Sequence, residues 1–154
     1  MKILLPVDGS DCSNAAVNEV AKRPWPAGSE VRILSAVELP FVPTTETWAL
    51  PDSYYSQLEE AGREQAHKAI DAAVEKLRDT ASSREIPLEI TTHIVDGSAR
   101  DAILSEAEKW GADLIVLGSH GRRGLQRFLL GSVSNAIATH APCSVEIVRC
   151  RQTA

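Results

Sequence analysis

Short apolar runs alternate along this chain with longer segments whose apolar side chains recur every three or four residues. The continuous runs are typical of strands that are buried on both faces of a sheet. One further run alternates apolar and polar side chains, which predicts a strand nearer the edge of the sheet. The pattern therefore predicts strands at residues 3–7, 31–37, 88–95, 112–117 and 144–148.

The segments with helical spacing predict helices at residues 13–23, 53–82, 99–110 and 132–140. Pro24 and Pro26 end the first helix, and Gly97 and Ser98 precede the third as a start signal. Strands that alternate with helices predict an α/β fold, with a parallel sheet covered on both faces. Ligands of such folds bind at the carboxyl ends of the strands, where the strand order reverses.

Composition is that of a soluble globular protein, and the 154 residues suffice for a single domain, residues 1–154. The formal net charge of −5 argues against a nucleic-acid partner, because nucleic-acid-binding domains usually present a net basic face. No apolar run approaches the roughly 20 residues of a membrane-spanning helix, and the N-terminus lacks the layout of a signal peptide. We therefore predict a cytoplasmic protein with no membrane partner.

The three cysteines, Cys12, Cys143 and Cys150, are odd in number and widely spaced, without a CxxC pair. This spacing predicts free and mostly structural thiols. A redox role for Cys12, which lies close to the turn at Asp8, is the alternative. The histidines are scattered and none has the spacing of metal ligands, so we predict no protein metal site.

The most distinctive segment follows the fourth predicted strand and is rich in glycine and arginine. A chain that leaves a buried strand, turns through glycines and restarts as a helix directs several backbone N–H groups at one point, which suits an anion. The segment does not match the GxxxxGK[ST] phosphate loop, since no lysine precedes Ser132. It does not match the GxGxxG fingerprint either. The glycine spacing differs, and the segment follows the fourth predicted strand, whereas that fingerprint follows the first.

The spacing that does match is GxxG, nine residues and then G[ST], formed by Gly118, Gly121, Gly131 and Ser132. This pattern closely resembles the nucleotide-binding signature of the universal stress protein family. The opening ILLPVDGS, the strand ILSAVEL, the block DLIVLGSHGRRGLQRFLLGSVS and the ending APCSVEIVR also fall where that family has them. The resemblance therefore covers nearly the whole chain.

The resemblance implies a three-layer Rossmann-like fold of the adenine nucleotide alpha hydrolase type, with a five-stranded parallel sheet in the order 3-2-1-4-5. It implies ATP as the ligand, with Mg or Mn as an ion that would travel with the nucleotide. It also implies a homodimer joined through the last strand, from Val145 to Val148. The phosphates and ribose would lie against Gly118, Ser119, Gly121, Gly131, Ser132, Val133 and Ser134, and the adenine end near Pro6, Asp8 and Val37.

Several residues have more than one interpretation. Asp8 is either a ligand contact or the cap of the first helix, and the two roles are compatible. Arg122 and the neighbouring Arg123 and Arg127 either reach the terminal phosphate or form a solvated face. His120 either packs and hydrogen-bonds within the loop or takes part in catalysis. Residues 40–51, with Trp48 and the following Tyr54 and Tyr55, either cover the nucleotide, meet a second protomer or pack in the ordinary way.

We expect an ATP-binding protein, and the resemblance implies a stress protein whose nucleotide state regulates survival or signalling. A slow ATPase is the first alternative, but phosphoryl transfer needs a positioned base or water, for which only Asp8 and His120 are candidates, and we assign no catalytic residue. A partner-binding module that does not need nucleotide is the second alternative. The intact glycine signature argues against that last interpretation.

Overall fold

The structure, a computed structural model, describes residues 1–38, 52–81, 88–121 and 130–150. These residues form an α/β domain in which strands and helices alternate from the first element to the last. The elements are β1 (Lys2–Pro6), α1 (Asp11–Lys22), β2 (Glu30–Val37), α2 (Asp52–Ala81), β3 (Glu89–Asp96), α3 (Ala99–Trp110), β4 (Leu114–Gly118), α4 (Ser132–His140) and β5 (Ser144–Val148).

The five strands form one parallel sheet in the order β3-β2-β1-β4-β5. The order reverses between β1 and β4, which pair in the middle of the sheet with Ile3 opposite Leu114 and Leu4 opposite Ile115. The predicted fold class, strand order and edge position of β3 are therefore confirmed. The predicted strand and helix boundaries agree with the observed ones to within about two residues.

Alternate side chains of β1 separate the interior into two apolar layers. Ile3 and Leu5 point to the layer that α1 and α2 cover, whereas Leu4 points to the layer that α3 and α4 cover. All three side chains are fully buried. Because a strand covered on both faces has no polar side to present to water, β1 and β4 appear in the sequence as continuous apolar runs.

Local signals explain where the helices begin and end. The Ser10 hydroxyl caps α1 by accepting from the Ser13 N–H, and the Ser98 hydroxyl caps α3 by accepting from the Asp101 N–H. Gly111 ends α3 in the left-handed conformation, with φ of 69°. Across the described ranges, no helix is both long and apolar enough to cross a membrane.

Candidate functional site

The reversal point between β1 and β4 brings together predicted site residues that are far apart in the sequence. Pro6 ends β1, Val37 ends β2 and Gly118 ends β4, so all three lie at the carboxyl edge of the sheet. This is the edge at which open α/β sheets bind their ligands.

The turn after β1 is held by its own side chains. The Ser10 N–H donates to Asp8 Oδ1 at 2.9 Å, and the Asp8 N–H donates to the Ser13 hydroxyl at 3.2 Å. Gly9 permits the turn with a φ of 78°. Asp8 is therefore not the cap of α1, contrary to one of its two predicted roles. Ser10 takes that role because its hydroxyl accepts from the Ser13 N–H in the first helical turn.

Gly118 lies where β4 meets the first turn of α1. A Cβ at this position would be 2.5 Å from the Cys12 carbonyl carbon and 2.8 Å from the Ser13 nitrogen. The absence of a side chain thus lets the backbone of α1 approach the end of β4 directly. This packing requirement is sufficient by itself to explain the glycine.

Ser119 closes the glycine loop. Its N–H donates to the Val148 carbonyl at 2.8 Å, and its own carbonyl accepts from the Gly131 N–H at 2.9 Å and the Ser134 hydroxyl at 2.8 Å. Both Ser119 and Ser134 are buried. The two ends of the loop are therefore fixed to each other. Arg122, Arg123 and Arg127 lie outside the described residues, as do Trp48 and residues 40–51.

The N-terminus of α4 differs from the starts of α1 and α3. Its N-cap is Gly131, and within the described part of the chain no side chain accepts from its first amides. The first hydrogen bond of the helix runs from the Asn135 N–H to the Gly131 carbonyl at 2.9 Å. The amides of Ser132, Val133 and Ser134 thus precede the intrahelical ladder, at the positive end of the helix dipole. Such a terminus is suited to bind an anion.

Gly121 and His120 extend this surface toward the turn after β1. A Cβ at Gly121 would lie 2.8 Å from Asp8 Oδ2, so the loop passes directly over the carboxylate. The His120 ring is 3.2 Å from the Ser119 hydroxyl through Nδ1, and the His120 carbonyl accepts from the Ser10 hydroxyl at 3.4 Å. His120 accordingly has the hydrogen-bonding role that was one of its two predicted interpretations.

Val37 is placed at the edge, but its side chain is only 4% exposed. It packs beneath α2 at Gly62, where an added Cβ would be 3.0 Å from Val37 Cγ1, and its carbonyl accepts from the Gly97 N–H at 2.9 Å. Tyr54 and Tyr55, at the start of α2, contact each other edge to face and remain largely exposed.

Sequence reasoning missed the serines that hold this site. Ser10 and Ser13 position the Asp8 turn, and Ser10 also reaches the glycine loop through His120. The serine-rich turn DGSDCS was the available signal, because serines at such positions commonly bond to nearby backbone groups. Across the ranges that the structure describes, no three His, Cys, Asp or Glu side chains come together as metal ligands.

The prediction of free thiols is wrong for two of the three cysteines. Cys12, in the first turn of α1, forms a disulfide with Cys150, which follows β5, and their Cα atoms are 4.6 Å apart. Spacing along the chain could not reveal this pair, because the two residues are 138 positions apart and only the strand order brings them together. Cys143 is free, as predicted.

Comparison with known proteins agrees with this geometry. Residues 1–149 match the family described as the universal stress protein family. The chain belongs to that family. It is 34% identical over 151 residues to universal stress protein MJ0531 of Methanocaldococcus jannaschii, covering 96% of this chain and 81% of the relative.

Solved structures of known proteins have the same architecture. The universal stress protein UspA from Lactobacillus plantarum superposes with a TM-score of 0.74 at 30% identity, with 97% of each chain covered. Protein MJ0577 superposes with a TM-score of 0.79 at 26% identity, covering 99% of this chain and 97% of the other.

More distant structures share the fold and carry nucleotides. A universal stress protein in complex with cAMP has a TM-score of 0.68 at 22% identity and covers 98% of each chain. The Arabidopsis thaliana family protein At3g01520, with AMP bound, has a TM-score of 0.67 at 15% identity and covers 98% of this chain and 92% of that one. The fold thus accommodates adenine nucleotides in those proteins.

Proposed function

We propose that this universal stress protein binds ATP at the carboxyl edge between β1 and β4 and acts as a nucleotide-dependent regulator of the stress response. The observation that carries the proposal is the N-terminus of α4, which no described side chain caps and which Ser119 holds beside the end of β4. The phosphates would lie against Gly131 and the amides of the first turn. The proposal includes a cytoplasmic homodimer that pairs through β5.

The helix terminus cannot account for nucleotide affinity alone. Anion contacts at a helix terminus contribute roughly 0.3–1 kcal/mol each, whereas micromolar affinity requires about 8 kcal/mol. The amides of His120 and Gly121 and the exposed Ser132 hydroxyl offer further hydrogen bonds to phosphate. Pro6 and the turn at Asp8 would contact the nucleoside end. Because Ser119 and Ser134 are already held in place, little ordering would be required on binding.

Bound AMP and cAMP in structures of the same fold support an adenine nucleotide, and the glycine signature supports ATP. Mg or Mn would accompany the triphosphate, since magnesium is usually bound through one or two carboxylates together with substrate phosphates. The ion would neutralise part of the phosphate charge.

Calorimetric titration with ATP, ADP, AMP and cAMP, each with and without Mg, tests the proposal. We expect saturable binding of ATP, and mass spectrometry of the supernatant after denaturation should detect adenine nucleotide retained during purification. Absence of both heat and thermal protection at millimolar nucleotide would overturn it. Phosphate release measured in the same samples, for the wild type and Asp8→Ala, separates binding from turnover.

Two glycine substitutions provide a matched pair for the same titration. Gly121→Ala places a methyl group 2.8 Å from Asp8 Oδ2 at an exposed position, so it should weaken ATP binding while the melting temperature changes little. Gly28→Ala, in the turn before β2, meets no atom within 4 Å but has a φ of 76°. It should lower stability by about 1–2 kcal/mol and leave affinity unchanged. The opposite pattern would contradict the proposed site.

A further inference from the structure

The disulfide between Cys12 and Cys150 joins two segments that both contact the ends of the glycine loop. Cys12 belongs to the first turn of α1 and is buried, whereas Cys150 is half-buried. Cys150 follows the end of β5 by two residues. The bond therefore connects α1, which packs on one face of the sheet, with the end of the edge strand β5.

On the α1 side, the connection to the loop is direct. The Cys12 backbone lies so close to Gly118 that a Cβ there would be 2.6 Å from the Cys12 carbonyl oxygen. The Ser119 hydroxyl is 3.8 Å from the Cys12 sulfur, within the range of a hydrogen bond to sulfur. Displacement of Cys12 would therefore also displace Ser119.

On the β5 side, the connection passes through the sheet. The Val148 carbonyl accepts from the Ser119 N–H at 2.8 Å, as an extension of the β4–β5 ladder in which Gly118 pairs with Val148. The carbonyl of the same Ser119 holds Gly131 and Ser134 at the start of α4. The disulfide thus fixes the end of β5, and β5 in turn helps to fix Ser119, which positions the proposed phosphate site.

We propose that the Cys12–Cys150 pair is a reversible redox switch that controls nucleotide affinity, with the oxidised form binding more tightly. This inference rests on the nucleotide site proposed above. When the bond is cut, Cys150 is no longer tied to α1, and the end of β5 loses this covalent constraint. Ser119 then loses part of its support, and binding must supply the ordering that the disulfide had provided.

The exchange reaction needs a thiol reductant, for which we name a low-molecular-weight thiol or dithiol. Its thiolate attacks the sulfur of half-buried Cys150 and forms a mixed disulfide, while the electron pair of the broken S–S bond leaves with Cys12. A second reductant thiol then releases Cys150. Two protons complete the thiols of Cys12 and Cys150, and the reductant leaves as its own disulfide. In a reducing compartment, disulfides of this kind are usually transient and redox-sensing.

Counting thiols on the intact protein tests the chemical part without nucleotide. Protein purified without reductant and labelled with a maleimide polymer should show one reactive thiol under denaturing conditions, that of Cys143, and three after dithiothreitol. Reoxidation by air or oxidised glutathione should restore the count of one reactive thiol. Three reactive thiols before reduction that persist after oxidised glutathione would overturn the switch.

The affinity of both redox forms for ATP tests the coupling. Allosteric couplings typically amount to 5- to 150-fold, and we expect the dissociation constant to rise about fivefold or more on reduction. Cys150→Ser should bind weakly with or without dithiothreitol, whereas Cys143→Ser, which keeps the pair, should respond to dithiothreitol as the wild type does. By reciprocity, ATP should disfavour reduction of the disulfide, by about 20 mV for a fivefold effect.

The outcomes separate the two proposals. Equal affinity of the oxidised and reduced forms, in a protein whose thiol count does change, would overturn the switch and leave the nucleotide site intact. Failure of both the oxidised and the reduced form to bind any adenine nucleotide would overturn the proposed function and the switch together. A Cys150→Ser variant that binds as tightly as the oxidised wild type would overturn the switch alone.

Discussion

At the scale of single residues, Gly118 shows how one position can satisfy both a motif and a packing requirement. The sequence interpretation assigned it to phosphate contact, and the structure adds that the first turn of α1 packs against its missing side chain. Gly121 and Gly131 have fewer close backbone neighbours, and Gly131 also begins α4. Three glycines of one signature thus serve three local purposes.

Gly118→Ala should destabilise the protein by about 1–3 kcal/mol, because its methyl group would overlap backbone atoms of Cys12 and Ser13. Urea denaturation measures the change. Gly62→Ala is the comparison and should cost less, since its Cβ would meet only a side-chain atom, Val37 Cγ1 at 3.0 Å, and alanine is favoured over glycine in a helix. A Gly118→Ala variant as stable as the wild type would contradict the close approach of α1.

Cys143 provides a prediction about pH. Burial, together with the nearby Asp113 carboxylate, raises the pKa of this thiol above its ordinary value of 9.0. The thiol ionises at lower pH in the unfolded chain than in the folded one, so the free energy of unfolding should fall as the pH rises through 9.0. Cys143→Ala should show a smaller alkaline decline in thermal denaturation between pH 8 and pH 10. An identical decline in both proteins would contradict this assignment.

At the scale of elements, a largely buried ion pair connects α3 to the sheet. Arg32 of β2 donates to Glu106 of α3 at 2.6 Å, and the guanidinium stacks 4.3 Å from the centre of the Trp110 ring. His93 of β3 is 3.3 Å from the other Glu106 oxygen. One carboxylate thus links α3 to two neighbouring strands in a partly desolvated setting, where such contacts exceed the strength of exposed pairs.

Glu106→Gln should lower the free energy of unfolding by about 1–3 kcal/mol, because it leaves Arg32 without its charged partner. Glu64→Gln is the control: Glu64 pairs with Lys68 on the exposed face of α2, and its loss should not change stability measurably. Urea denaturation of both variants at pH 7 makes the comparison. Equal effects of the two substitutions would show that the contact of Arg32 with Glu106 stabilises the protein no more than an exposed ion pair does.

At the scale of the whole molecule, the fold assembles the candidate site from separate parts of the chain. Asp8 follows β1, Ser119 follows β4, and the start of α4 returns to Ser119 after the glycine loop. The two edge strands differ in exposure, since four of the five residues of β5 are half-buried, whereas four of the eight residues of β3 are exposed. An edge of this kind favours pairing with another strand.

Hydrogen exchange can test the proposed dimer without a mutation. Exchange protection of the β5 amides should increase with protein concentration, because pairing of two copies through β5 would cover that edge. The β3 amides serve as the internal control, since β3 lies at the opposite edge and should not respond. Light scattering should give twice the mass of one chain. Concentration-independent exchange in β5 together with the mass of one chain would rule the dimer out.

The sequence by itself determined the fold class, the order of elements and the location of the candidate site. Apolar periodicity identifies strands and helices because burial on one or both faces is a local property of the pattern. The glycine spacing from Gly118 to Gly131 and the apolar run of β1 could also be identified from the sequence alone.

Only the tertiary structure decided which groups meet at the site. Ser10 rather than Asp8 caps α1, Val37 is covered by α2, and Cys12 pairs with Cys150. Each of these facts depends on a contact between residues or on a choice among neighbouring polar groups, and local periodicity contains no information about either. The parallel sheet determines these contacts, because it places the ends of strands that are distant in sequence close to one another.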